Sequence, residues 1–167
     1  TVKAAEFSPC LIVWPETSVP DLFITNKRLV AWAGNLAVRS RSYLLFGSSD
    51  VFNPQEPKPE NYKYLNAAFL IAPTGEVAGR SAKIHLVPFG EYIPFRQFIP
   101  FVDKVAGGFG DYVAGPELKP IMAGNIPIGV TVCYETLFPE IAGSLTQQGA
   151  VVLASITNDA WYGWSAA

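Results

Sequence analysis

The chain has 167 residues, of which 50% are hydrophobic and 16% are charged, and its formal net charge at pH 7 is −2. This composition indicates a folded domain with a substantial core and argues against disorder. The weak negative charge offers no basic face to neutralise phosphates, so nucleic acid is not expected as a partner. Two cysteines and one histidine are too few for an ordinary structural zinc site, and neither a metal nor another cofactor is expected.

The first half of the chain alternates apolar runs with one amphipathic segment. The apolar runs, bounded by Pro, Gly and polar residues, predict buried strands, and a turn at 73–76 predicts a hairpin. The segment 21–39 carries its apolar residues near one face and predicts a helix that begins at Pro20 and Asp21. The alternation of strands and helices indicates an α/β layered fold. The predicted strands of this half lie at 10–14, 43–47, 64–72 and 77–81.

Residues 86–116 form a long aromatic stretch with little periodicity. The stretch contains five Phe and two Tyr together with repeated Pro and Gly. A connection of this length is typically functional or disordered, and its aromatic content argues against disorder. Two interpretations remain open: an arm or lid that presents apolar side chains to lipid or substrate, and a small inserted core beneath a long loop.

Cys133 follows an apolar, β-branched run over 126–132, and helix signals predict a helix over 136–148 directly after it. The cysteine is therefore expected at a strand-to-helix turn, where a thiol can face a cleft and act as a nucleophile if a neighbour lowers its pKa. The alternative is a small core residue at the end of a buried strand. A further strand is predicted at 150–156.

Two charged residues occupy comparable places in the predicted fold. Glu16 follows the first strand, at the end of a strand where α/β sheets place ligands, although a solvated loop carboxylate is the alternative. Lys83 lies among apolar residues after the hairpin, so either its ammonium is desolvated or only its stem packs on the core. His85, the single histidine, is more consistent with a structural role.

Four motifs carry a resemblance to a known family. They are Trp-Pro-Glu-Thr at 14–17, Gly-Arg-Ser-Ala-Lys-Ile-His-Leu-Val-Pro-Phe-Gly-Glu-Tyr at 79–92, Cys-Tyr-Glu at 133–135 and Asn-Asp-Ala-Trp-Tyr-Gly at 158–163. Together they resemble the bacterial apolipoprotein N-acyltransferases of the nitrilase superfamily, whose Glu-Lys-Cys triad has this order. General nitrilases and amidases share the triad but rarely the whole block at 83–92.

The resemblance implies a nitrilase-like four-layer α-β-β-α sandwich. Residues 1–167 would be a single partial carbon-nitrogen hydrolase catalytic domain, truncated at both ends and lacking the membrane helices of the family. It also implies a place at the bacterial inner membrane, with the catalytic domain on the periplasmic side and the 86–116 arm in contact with the membrane. A fragment of this kind is expected to have little activity alone.

The resemblance also implies the chemistry. A fatty acyl group would pass from a phospholipid donor, through a thioester on Cys133, to the α-amino group of the diacylglyceryl-cysteine of an apolipoprotein acceptor. Glu16 would be the general base, and Lys83 would stabilise the thiolate and the oxyanion. The alternative is a soluble nitrilase-type amidase that hydrolyses a small amide with the same triad.

Other residues near these motifs are expected to support the triad. Glu91 would orient Lys83 or keep it charged. Tyr134 and Glu135 would shape the pocket behind the nucleophile, although a structural ion pair remains equally open for Glu135. Aromatic residues expected in the pocket wall or the arm are Trp14, Phe89, Tyr92 and Trp161.

Overall fold

The computed structural model describes residues 1–56, 58, 61–95 and 112–158, and these residues form helices, strands and 3₁₀ turns. Among them, no helix is long and apolar enough to cross a membrane. In chain order the elements are α1 (Val2–Ala5), β1 (Leu11–Val13), β2 (Val19–Leu22), a 3₁₀ turn (Phe23–Thr25), α2 (Lys27–Ser40), β3 (Tyr43–Val51), β4 (Tyr64–Ile71), β5 (Val77–Ala82), β6 (Ile121–Ala123), β7 (Ile126–Val132), a second 3₁₀ turn (Cys133–Leu137), α3 (Pro139–Gln147) and β8 (Val152–Ile156).

The first sheet has the strand order β1-β3-β4-β5, and β2 also pairs with β3. Both β1 and β2 run parallel to β3, whereas β4 and β5 continue the sheet in antiparallel fashion. Since β1 pairs with the first part of β3 and β2 with a later part, the segment between them crosses the middle of that strand. This segment carries Glu16, and it is tied to β3 by a hydrogen bond from Gly47 N to Pro15 O at 3.1 Å.

The second sheet has the order β6-β7-β8 and packs face to face against the first. β6 is antiparallel to β7, and β8 is parallel to it. The apolar side chains between the sheets come from both of them and are fully or almost fully buried, which removes a large apolar area from water. The buried residues of this layer are Leu45, Ala68, Leu70, Ile121, Ala123, Ile128, Val130, Val132 and Ile156.

One helix covers the outer face of each sheet. Ala33 and Ala37 of α2 belong to the same buried cluster as Phe46 and Phe69 of the first sheet. On the other side, Ile141 and Leu145 of α3 cluster with Ala150. The resulting order of layers, α2, first sheet, second sheet, α3, is the four-layer α-β-β-α sandwich expected from the sequence, and the fold class is confirmed.

The predicted start of the first long helix is wrong. The helix was expected from Asp21, but α2 begins at Lys27, with the Asn26 side chain accepting from the backbone N–H groups of Arg28 and Leu29 at 3.1 and 3.3 Å. Asp21 instead belongs to β2, and its carboxylate accepts a hydrogen bond from Asn26 Nδ2 at 2.8 Å. This hydrogen bond is the main reason why the pKa of Asp21 lies below its ordinary value.

The helix after Cys133 also begins later than expected. The predicted start was residue 136, but a 3₁₀ turn occupies 133–137 and α3 begins at Pro139. The hydroxyl of Thr136 lies 2.6 Å from the hydroxyl of Ser155 on β8, so its partner lies across the sheet and not in the helix. Further differences are the unpredicted α1, β2 and β6 and the extension of β3 to Val51.

Gly47 provides a test of how closely the Glu16 segment must approach β3. A Cβ at position 47 would lie 2.6 Å from Glu16 Cα and 2.6 Å from Thr17 N, whereas a Cβ at Gly143 on α3 would meet no atom within 4 Å. We expect Gly47→Ala to lower the free energy of unfolding by about 1–3 kcal/mol. Gly143→Ala, the matched control, should raise it by about 0.5–1 kcal/mol because alanine favours the helix. Urea denaturation measures both, and equal stability of the two variants would contradict the close approach.

Candidate active site

Cys133 lies at the sharp turn between β7 and the following 3₁₀ turn. Its φ of +53° places a non-glycine residue in the left-handed region, which is unfavourable unless the surroundings hold it there. The side chain is half-buried and belongs to no disulfide. The strand before it is fixed by the parallel pairing of Val132 with Ile156 of β8. The sequence expectation of a cysteine at the end of a strand therefore agrees with the backbone geometry.

Glu135 ties this turn to the segment that carries Lys83. One carboxylate oxygen accepts from Val132 N at 2.8 Å, and the other accepts from Ile84 N and His85 N at 2.7 and 3.1 Å. Glu135 is 2% exposed. An ion pair was one of the two roles open for it, but within the described residues its carboxylate is bound by three backbone N–H groups. Its carboxylate therefore joins two chain segments that lie about fifty positions apart in sequence.

Lys83 is buried, with only 1% of its surface exposed. Its backbone N–H donates to Asn66 O at 2.8 Å, and its carbonyl accepts from Gly115 N at 2.7 Å. Its Nζ lies 2.9 Å from Glu91 Oε2, which compensates the burial of the ammonium. Of the two alternatives posed by the sequence, the desolvated ammonium is the one that the structure contains.

Glu91 is held in place by a tight turn of its own segment. Its backbone N–H donates to Val87 O at 2.9 Å, and its Oε2 accepts from Val87 N at 2.8 Å in addition to contacting Lys83. Its Oε1 accepts from Asn66 Nδ2 at 2.8 Å. The expectation that Glu91 lies beside Lys83 agrees with this arrangement.

Glu16 is 5% exposed and lies in the crossing segment between β1 and β2. Its Oε1 accepts from Asn66 Nδ2 at 2.7 Å, while its Oε2 is buried without a hydrogen-bond partner of normal geometry in the described part of the chain. Asn66 was not among the residues singled out from the sequence. The signal that could have found it is a single amide within the otherwise apolar run of β4.

The thiol of Cys133 is electrostatically coupled to both charged residues. Burial raises the pKa of Cys133 above its ordinary value, and the negative charge of Glu16 raises it further. A hydrogen bond with Thr157 and the positive charge of Lys83 lower the pKa of the thiol but do not overcome these effects. Lys83 acts in the expected direction, towards the thiolate, but the balance of these effects favours the neutral thiol. Thr157, which follows β8, was not anticipated.

An open pocket of about 600 Å³ adjoins this cluster. The ring of His85 stacks on Phe138 with a centroid distance of 3.9 Å, and Tyr134 meets Phe138 edge-on at 5.1 Å. The pocket wall includes the residues directly after Lys83 and Cys133, although those two side chains and Glu16 do not line it. The lining residues are Ile84, His85, Leu86, Pro88, Tyr92, Ala114, Tyr134 and Phe138.

The expected aromatic residues have different surroundings. Tyr92 lines the pocket, while Phe89 and Phe95 are 75% and 76% exposed. Trp14 contacts Trp32 and Phe46 at centroid distances of 5.7 and 6.1 Å, so it belongs to the core beneath α2. Trp161 and residues 96–111 of the expected arm lie outside the described residues. Within the described ranges, no group of His, Cys, Asp and Glu could hold a metal ion.

Comparisons with known proteins agree on one family. The carbon-nitrogen hydrolase family model matches residues 2–167. The chain is 42% identical over 166 residues to an apolipoprotein N-acyltransferase of Geobacter metallireducens, and 33% identical over 163 residues to one of Agrobacterium fabrum. These alignments cover 99% and 93% of this chain but 31% and 29% of the relatives, so the chain spans about a third of their length.

Two solved structures share the fold. A carbon-nitrogen hydrolase from Helicobacter pylori superposes with a TM-score of 0.65 over 93% of this chain and 52% of its own. An amidase from Nesterenkonia sp., with acrylamide added at its active-site cysteine, superposes with a TM-score of 0.60 over 97% of this chain and 61% of its own. Both are 18% identical to this chain, so the likeness shows the fold alone.

Replacing Glu16 should accelerate one reaction of Cys133. The charge of Glu16 raises the pKa of the thiol, so Glu16→Gln should lower that pKa and speed alkylation by iodoacetamide at pH 7.5. The gain should be about three- to fourfold for each pKa unit, because a less basic thiolate is also less nucleophilic. The measurement uses a Cys10→Ser background, because Cys10 is an exposed thiol. Exposed Glu76→Gln is the matched control and should leave the rate unchanged. A slower reaction of Glu16→Gln would contradict the coupling.

Glu135→Gln should disrupt the connection between the two segments. An amide keeps one acceptor oxygen but places an N–H₂ group against backbone donors, so the free energy of unfolding should fall by about 1–3 kcal/mol. Thermal denaturation measures the loss, with the exposed first-turn residue Glu140→Gln as the control. A variant as stable as this control would show that the three hydrogen bonds contribute little.

Proposed function

The chain belongs to the carbon-nitrogen hydrolase family, and on this premise we propose that it is the catalytic part of an apolipoprotein N-acyltransferase. The observation that carries the proposal is that the buried Glu16 and the buried Lys83 are linked through Asn66 and Glu91. The charges of both residues act on the thiol of Cys133. The choice of substrate is supported by the names of the relatives that match almost the whole chain. Because the chain spans about a third of those relatives, the activity of the whole protein is part of the proposal.

The first half of the reaction acylates Cys133. The sulfur attacks the ester carbonyl of a phospholipid while its proton passes to Glu16. The Oε2 of Glu16 is buried and makes no hydrogen bond of normal geometry with the described residues, so this oxygen is the proposed proton acceptor. The tetrahedral intermediate collapses, the carbon–oxygen bond breaks, and Glu16 returns the proton to the departing alcohol. A thioester on Cys133 and a lysophospholipid result. A raised pKa of the resting thiol suits this order, because deprotonation then accompanies attack.

The second half transfers the acyl group to an amine. The α-amino group of a diacylglyceryl-cysteine attacks the thioester, and Glu16 accepts the proton that the nitrogen loses. The carbon–sulfur bond then breaks, the sulfur regains its proton from Glu16, and an amide leaves. In both halves an oxyanion forms at the reacting carbon. Lys83 and the backbone N–H of Tyr134 are its proposed donors, and one such donor contributes about 10²–10³ in rate.

The pocket and the exposed aromatic residues fit a lipid substrate. The pocket wall is mostly apolar and begins at the residues that follow Lys83 and Cys133, which suits an acyl chain next to the thioester. Exclusion of water by that chain would favour aminolysis over hydrolysis. Phe89 and Phe95 project outward from the 86–116 arm, and we assign them to contact with the bacterial inner membrane, with the catalytic domain on its periplasmic side.

The test uses the whole natural protein that contains this chain, purified in detergent. Incubation with phospholipid should add one fatty acyl mass to the Cys133 peptide, and a diacylglyceryl lipopeptide should then remove it and gain a stable amide. Cys133→Ala should show neither product, whereas Cys10→Ala should behave as the parent. Lys83→Met should slow acylation by at least about 10²-fold.

The same experiment separates the transferase from a soluble nitrilase-type amidase. An amidase with this triad would use water as the second nucleophile, and it would release ammonia from small amides. Ammonia release, together with the absence of a fatty acyl group on Cys133, would contradict the transferase and support the amidase. A long-lived thioester that only the lipopeptide discharges would support the transferase.

A further inference from the structure

We propose that Asn66 is a positioning residue that gives the two carboxylates it contacts different tasks, leaving Glu16 to exchange protons and Glu91 to remain the counter-ion of Lys83. The inference rests on the proposed function, in which Glu16 is the base. It concerns a side chain in the middle of β4 that neither bears the reacting thiol nor lines the pocket.

The amide nitrogen of Asn66 bridges both carboxylates. Nδ2 lies 2.7 Å from Glu16 Oε1 and 2.8 Å from Glu91 Oε1, and its two N–H groups are enough to donate one hydrogen bond to each. The opposite orientation of the amide would point a carbonyl oxygen at two carboxylates, so the surroundings select the nitrogen. Both contacted oxygens must therefore be unprotonated acceptors, and a proton taken up by Glu16 must go to Oε2.

The donors around the two carboxylates are unequal. Glu91 receives hydrogen bonds from Asn66 and from Val87 N, and it contacts the Lys83 ammonium. Glu16 receives one hydrogen bond of normal geometry, from Asn66, and its buried Oε2 has none within the described part of the chain. The other polar group close to this carboxylate is the thiol of Cys133, the group with which it would exchange the proton. A carboxylate with several donors and a neighbouring cation holds its charge more strongly than one with a single donor. Protons from the thiol and the amine therefore go to Glu16.

The backbone of Asn66 fixes the amide with little freedom. β4 is an interior strand, and Asn66 is paired in register with Ser49 of β3. On its other side, the carbonyl of Asn66 accepts from Lys83 N at 2.8 Å. One residue thus orients the base through its side chain and the lysine through its main chain, and it is 8% exposed. Loss of the side chain should disturb the base and leave the backbone contact to Lys83 in place.

The test measures the first chemical step with a small substrate. The protein that carries this chain at its natural length, with Cys10→Ser, is mixed with p-nitrophenyl butyrate. The burst of p-nitrophenol, in both its ionisation states, is followed at the isosbestic wavelength from pH 5 to 9. The burst amplitude counts folded active sites, and the burst rate reports acylation of Cys133. The variants are Asn66→Ala and the shape-preserving Asn66→Asp, with exposed Asn35→Ala as the matched control.

If Asn66 positions Glu16, the active sites that remain folded in the Asn66 variants should show a changed burst rate and a changed pH dependence of that rate. Asn66 donates a hydrogen bond to the Glu16 carboxylate, so removing this donor should move the acid limb of the burst rate to higher pH in both variants. The rate at pH 7 should fall by at least about tenfold, since a displaced base acts less well. Asn35→Ala should match the parent in burst rate, in the position of the acid limb and in burst amplitude.

Two different failures can be told apart. If the Asn66 variants lose amplitude but keep the parental rate and acid limb, Asn66 only supports the fold and the inference is wrong. If Glu16→Gln keeps the parental burst rate, the assignment of the base in the proposed function is wrong. If Glu16→Gln abolishes the burst while Asn66→Ala keeps the parental burst rate and acid limb, the inference is wrong and the proposed function stands.

Discussion

The arrangement of this site depends on keeping an ammonium charged where water cannot reach it. Lys83 is 1% exposed, and a buried ammonium is stable only with a close carboxylate that is itself well supplied with donors. Glu91 meets that need at 2.9 Å and is held by its own turn and by Asn66. Asn66 in turn restrains Glu16, so the position of the lysine and the position of the base are parts of one connected set of hydrogen bonds.

Main-chain contacts hold the segments that carry these hydrogen-bonded side chains in place. Glu135 binds three backbone N–H groups and thereby joins the nucleophile turn to the lysine segment. Gly47 allows the Glu16 segment to lie against β3 at a distance that no side chain would tolerate. Gly115 holds the carbonyl of Lys83. The charged groups therefore project from segments that are fixed to the sheets on each side, and a neutral thiol can meet its base without a large rearrangement.

The sequence predicted the parts of this structure that have strong local signals. Long apolar strands such as β4 and β7 were located to within about two residues, as expected for element boundaries. The start of α2 was misplaced because Asp21 and Asn26 can both cap a helix, and pairing of β2 with β3 decided between them. β6 was missed because three residues carry no periodicity.

The residues of the site likewise divide into those with a strong local signal in the sequence and those without one. Three of the four motifs contain Glu16, Lys83 and Cys133, and in the structure the charges of Glu16 and Lys83 both act on the thiol of Cys133. Asn66 was missed because an amide inside an apolar strand becomes meaningful only once the pairing of β3, β4 and β5 shows which residues it faces. The net pKa shift of Cys133 was also out of reach, since burial and the charge of Glu16 outweigh Lys83 only in the assembled fold. A thiol that stays protonated until an ester arrives reacts slowly with peroxide, because oxidation to sulfenic acid proceeds through the thiolate. The same burial that delays ionisation of the nucleophile therefore protects it from oxidation between turnovers.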